Sequence, residues 1–386
     1  MPNLSSHFLL RPDIILLNHG SFGACPRPVF EEYQRWQREL EAQPVEFLGR
    51  RFDDLMRAAR EPLAQYVNCD ADDLVYVPNA TTGLNVVARS LRLHPGDEIV
   101  TTDHEYGALD RTWTFLCEKW NAVYKRVPIP VPVTTAEDFV ERVWSAVTPR
   151  TRVLFLSHIT SPTALIFPIQ ELCRRARASG IISIIDGAHV VGQIPLDLYA
   201  LGADFYSSNA HKWMMSAKGS AFLYARREMQ SMVEPLVVSW GWHPEQPARS
   251  RFVQEQEWQG TRDIAPYLSV PAAIRFMQAH AWDTVRAECH ALARDARDEL
   301  SRLTGLEPLS PDSTEWFSQM VSLPLPRCNP EILKQRLYDE YKIEVPIVTW
   351  NKRHLIRVSI QGYNTRENVD ALVGALKELL PQVLVA

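Results

Sequence analysis

The chain has 386 residues, 46% of them hydrophobic and 23% charged, which is the composition of an ordinary globular protein. This length exceeds that of one typical domain, so we expect two. The net charge of −5 gives no electrostatic basis for nucleic-acid binding, and no apolar run approaches the ~20 residues that a membrane-spanning helix requires.

The cysteines and the first residues indicate a cellular compartment. Six cysteines are scattered along the chain, without a CxxC pair or a histidine at metal-ligand spacing. They predict reduced thiols rather than a disulfide framework or a metal site. Residues 1–5 have neither the basic region nor the long apolar core of a signal peptide, so we expect a cytoplasmic protein.

The first informative stretch, residues 16–23, is an apolar run that breaks into a glycine-bounded turn. Its Asn18-His19-Gly20 segment has two interpretations. It is either a tight turn with Asn18 in the left-handed conformation, or a loop that carries Asn18 and His19 into a substrate pocket. The prolines that follow introduce a helix predicted over residues 29–42.

A predicted strand at residues 74–77 is followed by Thr81-Thr82-Gly83, which opens a helix over residues 84–91. Small hydroxyl residues at a helix N-terminus form a natural phosphate site, because free backbone N–H groups and the helix dipole point at the anion. The same residues also fit an ordinary threonine N-cap, and the local sequence leaves both interpretations open.

Further strands are predicted at residues 97–102, 153–158 and 181–185, with a helix at 168–178 between the last two. Strands that alternate with helices of this length predict a doubly wound, largely parallel sheet. Tyr106 follows the first of these strands. Its ring is placed either to cover a flat cofactor or to pack in the core.

The strand at residues 181–185 ends in Asp186-Gly187-Ala188-His189, and Lys212 follows in a loop between strands predicted at 203–207 and 221–224. Carboxyl ends of parallel strands form the ligand-binding edge of such a sheet. Pyridoxal phosphate needs a lysine amine for its Schiff base and an acid that pairs with its ring nitrogen. Either residue alone would be an ordinary surface lysine or helix cap.

Beyond residue 266 the pattern changes to a long helical stretch at 267–303, followed by two strands and two helices of a smaller α+β domain. The strands are predicted at residues 317–323 and 355–360, and the helices at 330–341 and 366–380. We therefore expect an N-terminal arm at 1–30 that contributes to the active site, a large domain at 31–265 that binds the cofactor, and a small C-terminal domain at 266–386.

One pocket at the edge of the sheet could contain the threonine pair, Tyr106, Asp186 and Lys212. A phosphate site, an aromatic ring, a carboxylate and a lysine amine together match pyridoxal 5′-phosphate. A dinucleotide would instead require a glycine-rich fingerprint, which the sequence lacks. The acid keeps the cofactor ring protonated, and the released lysine is the natural base for a Cα proton.

Seven stretches, spread from near the first residue to near the last, resemble one family. They are residues 17–23, 78–83, 102–108, 157–163, 186–189, 211–213 and 357–359. The resemblance is to the class V aminotransferase group of fold-type I pyridoxal-phosphate enzymes, and within it to isopenicillin N epimerase-like enzymes. It implies the fold-type I architecture: a doubly wound, mostly parallel sheet with a smaller α+β C-terminal domain.

Residue roles follow from the resemblance. It implies that Lys212 is the Schiff-base lysine, Asp186 the partner of the ring nitrogen and Tyr106 the residue stacked on the ring. The remaining cofactor ligands that it implies are Thr81, Thr82, His189, His211 and Thr261. The last of these would reach the phosphate of a neighbouring subunit, which implies a homodimer with shared active sites. Arg357 matches the arginine that binds the substrate carboxylate, a contact that suits a bidentate guanidinium.

The resemblance implies an enzyme that abstracts the Cα proton of an amino-acid-type substrate, and we expect an epimerase or racemase. A β-eliminating C–S lyase is the alternative, with a cysteine desulfurase or transaminase ranked lower. Desulfurases of this group carry a catalytic cysteine shortly before the carboxylate-binding arginine, and residues 341–356 contain none. A catalytically inactive interaction module is disfavoured by the presence of both Asp186 and Lys212.

Overall fold

The computed structural model describes residues 4–245 and 247–385. Its α-helices, labelled in chain order, are α1 His19–Phe22, α2 Arg27–Ala42, α3 Pro44–Gly49, α4 Phe52–Tyr66, α5 Ala80–Ser90, α6 Gly107–Trp120, α7 Ala136–Trp144, α8 Gln170–Ala178, α9 Leu198–Leu201, α10 Arg251–Glu257, α11 Ala265–Leu268, α12 Val270–Ala279, α13 Trp282–Thr304, α14 Pro330–Tyr341 and α15 Arg366–Val383. Short 3₁₀ turns lie at Ser5–His7, Ala71–Asp73 and Arg227–Met232. No helix in these ranges combines the length and apolar character needed to cross a bilayer.

The strands are β1 Ile15–Leu16, β2 Leu74–Val77, β3 Glu98–Thr102, β4 Val123–Val127, β5 Thr151–Ser157, β6 Ile182–Asp186, β7 Phe205–Ser208, β8 Ala221–Ala225, β9 Met320–Pro324, β10 Ile343–Glu344, β11 Ile347–Trp350 and β12 Arg353–Ser359. Seven of them form the central sheet, in the order β2-β8-β7-β6-β5-β3-β4. Neighbours from β7 to β4 pair in parallel, whereas β8 is antiparallel to both β7 and β2. This confirms the predicted doubly wound, mostly parallel sheet.

The central sheet is buried on both faces, as its nearly continuous apolar strands require. Along β5, Val153 and Phe155 pack on one side, in the hydrophobic cluster that includes α5 and α6. Leu154 and Leu156 pack on the opposite side, in the larger cluster that includes α4, α8 and α12. Because successive side chains of a strand point to opposite faces, the central sheet contacts a layer of helices on each side.

A smaller antiparallel sheet, in the order β11-β12-β9, lies in the C-terminal part of the chain. It packs against α13, and α13 and α14 in turn contact α15. The strands and helices predicted there are present, with ends that differ from the prediction by at most three residues. The predicted domain boundaries after residues 30 and 265 stay predictions.

The N-terminal segment is tied to the C-terminal part of the chain. Strand β1 pairs in parallel with β10, and the backbone N–H of Ser359 donates to the Leu17 carbonyl at 2.9 Å. Residues that follow β1 are thereby held between the small sheet and the carboxyl edge of the large one. This places the segment around Ser21 at the functional site.

Candidate active site

A cavity of about 680 Å³ lies at the carboxyl edge of the parallel strands. The predicted site residues that line it are Thr81, Thr82, Tyr106, Asp186, His189, His211 and Lys212. They come from the ends of four different strands, so sequence-distant loops converge there as the topology rule for parallel sheets predicts. Ser21 and Phe22 of the N-terminal segment line the same cavity.

The N-terminus of α5 forms one end of the cavity. Asn79 caps the helix, because its Oδ1 accepts from the Thr82 N–H at 2.8 Å and from the Thr82 hydroxyl at 3.1 Å. Asn209 Oδ1 accepts from the Ala80 N–H at 2.8 Å, which links this turn to the lysine loop. The Thr81 side chain makes no hydrogen bond to any described residue and lines the cavity. An anion at this helix end would therefore find an available hydroxyl.

The serines before Asn209 do not reach the cavity. Ser207 Oγ donates to the Phe222 carbonyl at 2.8 Å, and Ser208 Oγ donates to the Gly187 carbonyl at 2.5 Å. Both side chains are fully buried in β7. Of these three consecutive residues, it is Asn209 that lines the cavity.

Asp186 ends β6 and is 4% exposed, with its carboxyl group at the cavity. The Ala188 N–H donates to Asp186 Oδ1 at 2.9 Å and fixes its orientation. Burial raises the pKa of this carboxyl above its ordinary value, while the Ala188 N–H and the charge of Lys212 oppose that change. A cation held against Asp186 would relieve the cost of burying its charge.

Gly187 lies directly above the ring of Tyr206, so that a β-carbon built there would approach the Tyr206 hydroxyl to 2.3 Å. That hydroxyl lies 3.1 Å from Nδ1 of His158, the residue after β5. The tight packing beneath Gly187 fixes the turn that presents Asp186 and His189. It explains why a glycine follows the acid.

Lys212 lies in the loop between β7 and β8, as predicted from the flanking apolar runs. Its Nζ lies 3.3 Å from Nε2 of His189. Removal from water lowers the pKa of the Lys212 ammonium to about 8; the charge of Arg357 acts in the same direction and that of Asp186 opposes it. A larger fraction of this amine is therefore unprotonated near neutral pH than of an ordinary lysine, which favours its use as a nucleophile or base.

His211 also lines the cavity and has a defined tautomer. Its Nδ1 lies 2.9 Å from the Ser220 carbonyl oxygen, which can only accept, so the proton sits on Nδ1. Burial lowers the pKa of this imidazole to about 4. A phosphate bound at Nε2 would raise that pKa, because an anion favours the doubly protonated ring.

Tyr106 precedes α6 and is 45% exposed, so its ring is open to the cavity.

The residue before Tyr106, Glu105, was not identified from the sequence as part of the site. Glu105 Oε2 accepts from the Ser157 N–H at 2.9 Å and from its hydroxyl at 2.6 Å, and Oε1 accepts from the Thr102 hydroxyl at 2.7 Å. These bonds join the ends of β3 and β5 beneath the cavity. Glu105 differs from a surface glutamate by its buried hydrogen-bond partners, and the sequence alone does not reveal those partners.

Arg357 on β12 lies directly behind the cavity wall. Its Nη1 donates to the Ser161 carbonyl at 2.7 Å and the Ser161 hydroxyl at 3.1 Å, and its Nη2 donates to Ser21 Oγ at 3.0 Å. The side chain is 5% exposed, and its Nε has no hydrogen-bond partner among the described residues. Burial lowers the pKa of this guanidinium to about 10. A buried cation with a free donor is suited to bind a carboxylate.

Asn18 and His19 lie behind the cavity wall. Asn18 Oδ1 accepts from Ser21 Oγ at 2.5 Å, and its Nδ2 donates to Glu344 at 3.1 Å, so Asn18 orients the serine that contacts Arg357. His19 is fully buried, with Nε2 3.0 Å from the Lys212 carbonyl and Nδ1 3.1 Å from the hydroxyl of Tyr363. The segment reaches the pocket through Ser21 and Phe22, whereas the two side chains named from the sequence support it.

Thr261 lies on the exposed surface, in a turn between α10 and α11, and does not line the cavity of its own chain. Lys218, the second lysine of the β7–β8 loop, lines the cavity near Gly219. Its side chain makes no hydrogen bond to a described residue. Two lysines therefore line the cavity, and of these Lys212 is the one within hydrogen-bond distance of His189.

These residues fit pyridoxal 5′-phosphate. Asp186 is a buried carboxyl without a cationic hydrogen-bond partner among the described residues, and the N-terminus of α5 offers the unbonded hydroxyl of Thr81 to an anion. Lys212 supplies an amine whose lowered pKa suits a covalent attachment. These side chains thus match three functional groups of the cofactor, namely its phosphate, ring nitrogen and aldehyde.

Comparisons with known proteins identify the family of the chain. The family model described as "Aminotransferase class-V" matches residues 16–372. Isopenicillin N epimerase of Amycolatopsis lactamdurans is 36% identical, over 98% of this chain and 98% of its own length. A putative L-cysteine desulfhydrase of Oryza sativa is 29% identical, over 94% of this chain and 83% of its own length. The crystal structure of the cysteine desulfurase CsdA from Escherichia coli has a TM-score of 0.81 at 23% identity and covers 98% of both chains.

Proposed function

The chain belongs to the class V aminotransferase family and is a pyridoxal-phosphate enzyme; from that premise we propose that it removes and replaces the Cα proton of an amino-acid-type substrate, with inversion of configuration. The observation that carries the proposal is the arrangement of Lys212, Asp186 and Arg357 around one cavity. Full-length similarity to an isopenicillin N epimerase supports epimerisation as the outcome.

We assign the cofactor to Thr81, Thr82 and His211 at its phosphate, Asp186 at its ring nitrogen, Tyr106 at its ring face and Lys212 at its aldehyde. When bound, the cofactor withdraws electrons from the substrate Cα and so acidifies its proton. The protein's part is to hold the substrate, to keep Asp186 charged against the ring and to move one proton.

Lys212 is the proposed base for the Cα proton. A base works best when its pKa lies near the working pH, and a pKa of about 8 meets that condition better than the ordinary value of 10.5. The enclosure that removes water from Lys212 therefore also makes it reactive. The charge of Arg357 contributes to the lowered pKa of Lys212. The residue assigned to the substrate carboxylate therefore also affects the proposed base.

Epimerisation requires a second proton donor across the substrate from Lys212. His19 lies outside the cavity, and burial lowers the pKa of its imidazole to about 3. Tyr106 lines the cavity and is partly exposed to it. We therefore assign the second proton transfer to the Tyr106 hydroxyl.

The alternative function is β-elimination by a C–S lyase, which uses the same proton removal and then releases a group from Cβ. Similarity to a putative L-cysteine desulfhydrase favours it. A persulfide mechanism is disfavoured, because no cysteine is among the described residues that line the cavity. Burial also raises the pKa of Cys25, in the N-terminal segment, to about 12.

We also propose a homodimer in which Thr261 completes the phosphate site of the second copy. Thr261 is exposed, and the preceding segment presents a set of exposed apolar side chains: Val237 50%, Val238 66%, Trp240 78% and Trp242 47%. Apolar surface of this extent favours burial against a partner. Light scattering of the purified protein should give twice the monomer mass, and Thr261→Ala should weaken cofactor binding in the dimer.

The test of the function is incubation of the holoenzyme with single L-amino acids and with isopenicillin N in deuterated water. Deuterium at Cα together with inverted configuration, detected by chiral chromatography and mass spectrometry, supports epimerisation. Release of a keto acid, ammonia and sulfide from cysteine supports the lyase instead. Lys212→Ala is the control and should show neither outcome, since it removes the proposed base.

A further inference from the structure

A line of three side chains runs from the core of the protein to the cavity. Trp213 Nε1 lies 3.2 Å from Nδ1 of His189, and His189 Nε2 lies 3.3 Å from Nζ of Lys212. Trp213 is fully buried and His189 is 2% exposed, so water does not compete for either ring. The protonation states along this line therefore depend on the side chains themselves.

The indole of Trp213 is enclosed by neighbouring residues. Its ring packs against His19 with ring centroids 5.0 Å apart. Gly192, at φ +90°, lies against the Trp213 backbone so closely that a β-carbon there would approach the Trp213 carbonyl carbon to 2.3 Å. The position of the indole N–H is thus determined by packing around Trp213.

The indole determines the tautomer of the histidine. An indole N–H can only donate, so Nδ1 of His189 must present its lone pair. Burial, reinforced by the charges of Lys212 and Arg357, lowers the pKa of His189 well below its ordinary value and keeps the ring neutral. A neutral imidazole that accepts at Nδ1 carries its proton on Nε2. Its Nε2–H then points to Lys212.

We propose that Trp213 is a positioning residue that fixes His189 as the Nε2–H tautomer, so that His189 donates to the lone pair of Lys212 and favours its unprotonated amine over the ammonium. The inference deepens the proposed function, since it rests on the assignment of Lys212 as the base. His189 is then the donor and the lysine lone pair the acceptor. In the opposite tautomer, Nε2 would accept from a lysine ammonium and stabilise the cation.

The other charged groups that act on Lys212 are Asp186, which favours the ammonium, and Arg357, which disfavours it. His211 and Lys218 line the same cavity without a hydrogen bond to Lys212 among the described residues. Asp186 and Arg357 are unchanged when the indole is replaced by a phenyl ring. Trp213→Phe therefore isolates the effect of the N–H donor while it retains an aromatic side chain.

The matched control is Trp113→Phe. Trp113 is also buried, at 1% exposure, but its Nε1 has no hydrogen-bond partner among the described residues. Its replacement removes the same indole N–H from a core position in the second hydrophobic cluster. Any general effect of a smaller ring on folding or stability should appear in both variants, whereas an effect on His189 should appear only in Trp213→Phe.

The first experiment uses the cofactor-free protein labelled with ¹⁵N-histidine, with the His189 signal assigned from its loss in His189→Gln. Long-range ¹H–¹⁵N spectra should show the Nε2–H tautomer in the wild type and in Trp113→Phe. Trp213→Phe should show a population of the Nδ1–H tautomer. The Nδ1–H form in the wild type would overturn the proposal, and this result does not depend on Trp213→Phe or on the enzyme's reaction.

The second experiment measures the rate of Lys212 acetylation in the cofactor-free protein as a function of pH, by mass spectrometry of the Lys212 peptide. The wild type should have a midpoint near pH 8. In Trp213→Phe the midpoint should rise by at least one pH unit, which corresponds to about tenfold slower labelling at pH 7. Adding His189→Gln to Trp213→Phe should restore the lower midpoint, because an amide N–H can donate without the indole. An unchanged midpoint in folded Trp213→Phe contradicts the proposal.

Discussion

Asn209 accepts a hydrogen bond from the backbone N–H of Ala80 at 2.8 Å, and this bond joins the loop that carries Lys212 to the helix that is assigned to the phosphate. The two segments are 129 residues apart in the chain. A cofactor held at both ends requires a fixed distance between its phosphate and its aldehyde. The side chain of Asn209 helps to fix that distance.

We therefore predict that Asn209→Ala weakens the binding of pyridoxal phosphate by about tenfold, the equivalent of one lost buried hydrogen bond. Absorbance titration of the cofactor-free protein measures the dissociation constant. Asn85→Ala is the control, because Asn85 bonds the Thr81 carbonyl and Thr112 within the same helical layer but does not line the cavity. Equal losses in both variants would show that Asn209 only stabilises the fold.

Lys212 should be the residue that holds the cofactor covalently, although Lys218 lines the same cavity. Borohydride reduction of the holoenzyme, followed by digestion and mass spectrometry, should place the phosphopyridoxyl group on the Lys212 peptide. Lys212→Ala should lose the label and nearly all turnover while it keeps its fold, and Lys218→Ala should keep the label. A label on Lys218 in the wild type would overturn the assignment.

Asp186→Asn should retain the cofactor and lose turnover by on the order of a hundredfold or more, because an amide cannot hold a ring nitrogen protonated by its charge. The amide is close in shape to the carboxyl group, and its oxygen can still accept from the Ala188 N–H. The measurements are kcat and the absorbance spectrum of the bound cofactor. Near wild-type turnover would mean that the carboxylate serves only to cap the turn after β6.

The sequence predicted the strands that form the centre of the sheet, since β5 and β6 are nearly continuous apolar runs, which are typical of strands buried on both faces. It did not predict the edge strand β4 or the helix α4. Strand β4, Val-Tyr-Lys-Arg-Val, is partly exposed and its polar residues give a weak pattern. Helix α4 contains Pro62, which normally indicates the end of a helix.

The strand ends also predicted where Asp186 and Lys212 lie, because both follow apolar runs and so belong at the ligand-binding edge of the sheet. The placement of Asn18 and His19 could not be derived in the same way. Whether a loop side chain faces a cavity or the core depends on its partners, here Glu344 and Tyr363, which are more than 300 residues distant. No local pattern encodes those contacts.

Glu105 should make the stability of the protein depend on pH. Burial raises the pKa of its carboxyl from 4.5 to about 8, although its bonds to Ser157 and Thr102 oppose this change. Between these values the folded protein retains a proton that the unfolded chain has lost. The stability linked to that proton is complete below pH 4.5 and is lost as the pH rises through 8.

Glu105→Gln mimics the protonated carboxyl group, and we expect it to be as stable as the wild type at pH 5 but more stable at pH 9. The gain should be at most a few kcal/mol, since each pH unit between the two pKa values contributes about 1.4 kcal/mol. Urea denaturation of the cofactor-free proteins at both pH values provides the comparison. A variant that is less stable at pH 9 would show that Glu105 is ionised in the folded protein.

Arg357 should bind the substrate carboxylate, with Ser21 and Ser161 holding the guanidinium in place. A lysine at this position keeps a positive charge but loses the planar fork, so a bidentate contact becomes a single one. The change should cost on the order of 1–3 kcal/mol and mainly raise KM. A fall in kcat as well would show that the carboxylate contact also orients the Cα–H bond for proton transfer.

The specificity of this contact is tested by comparing wild type with Arg357→Lys on an amino-acid substrate and on its amide, which lacks the carboxylate charge. The wild type should strongly prefer the acid, because the buried guanidinium has an unpaired Nε and no acidic partner among the described residues. The variant should lose most of that preference. Ser161→Ala should have a smaller effect in the same direction, since it removes one of the bonds that orient the guanidinium but leaves its charge. If wild type and Arg357→Lys discriminate equally between acid and amide, Arg357 does not bind the carboxylate, and its role is to hold Ser21 and Ser161 against the small sheet.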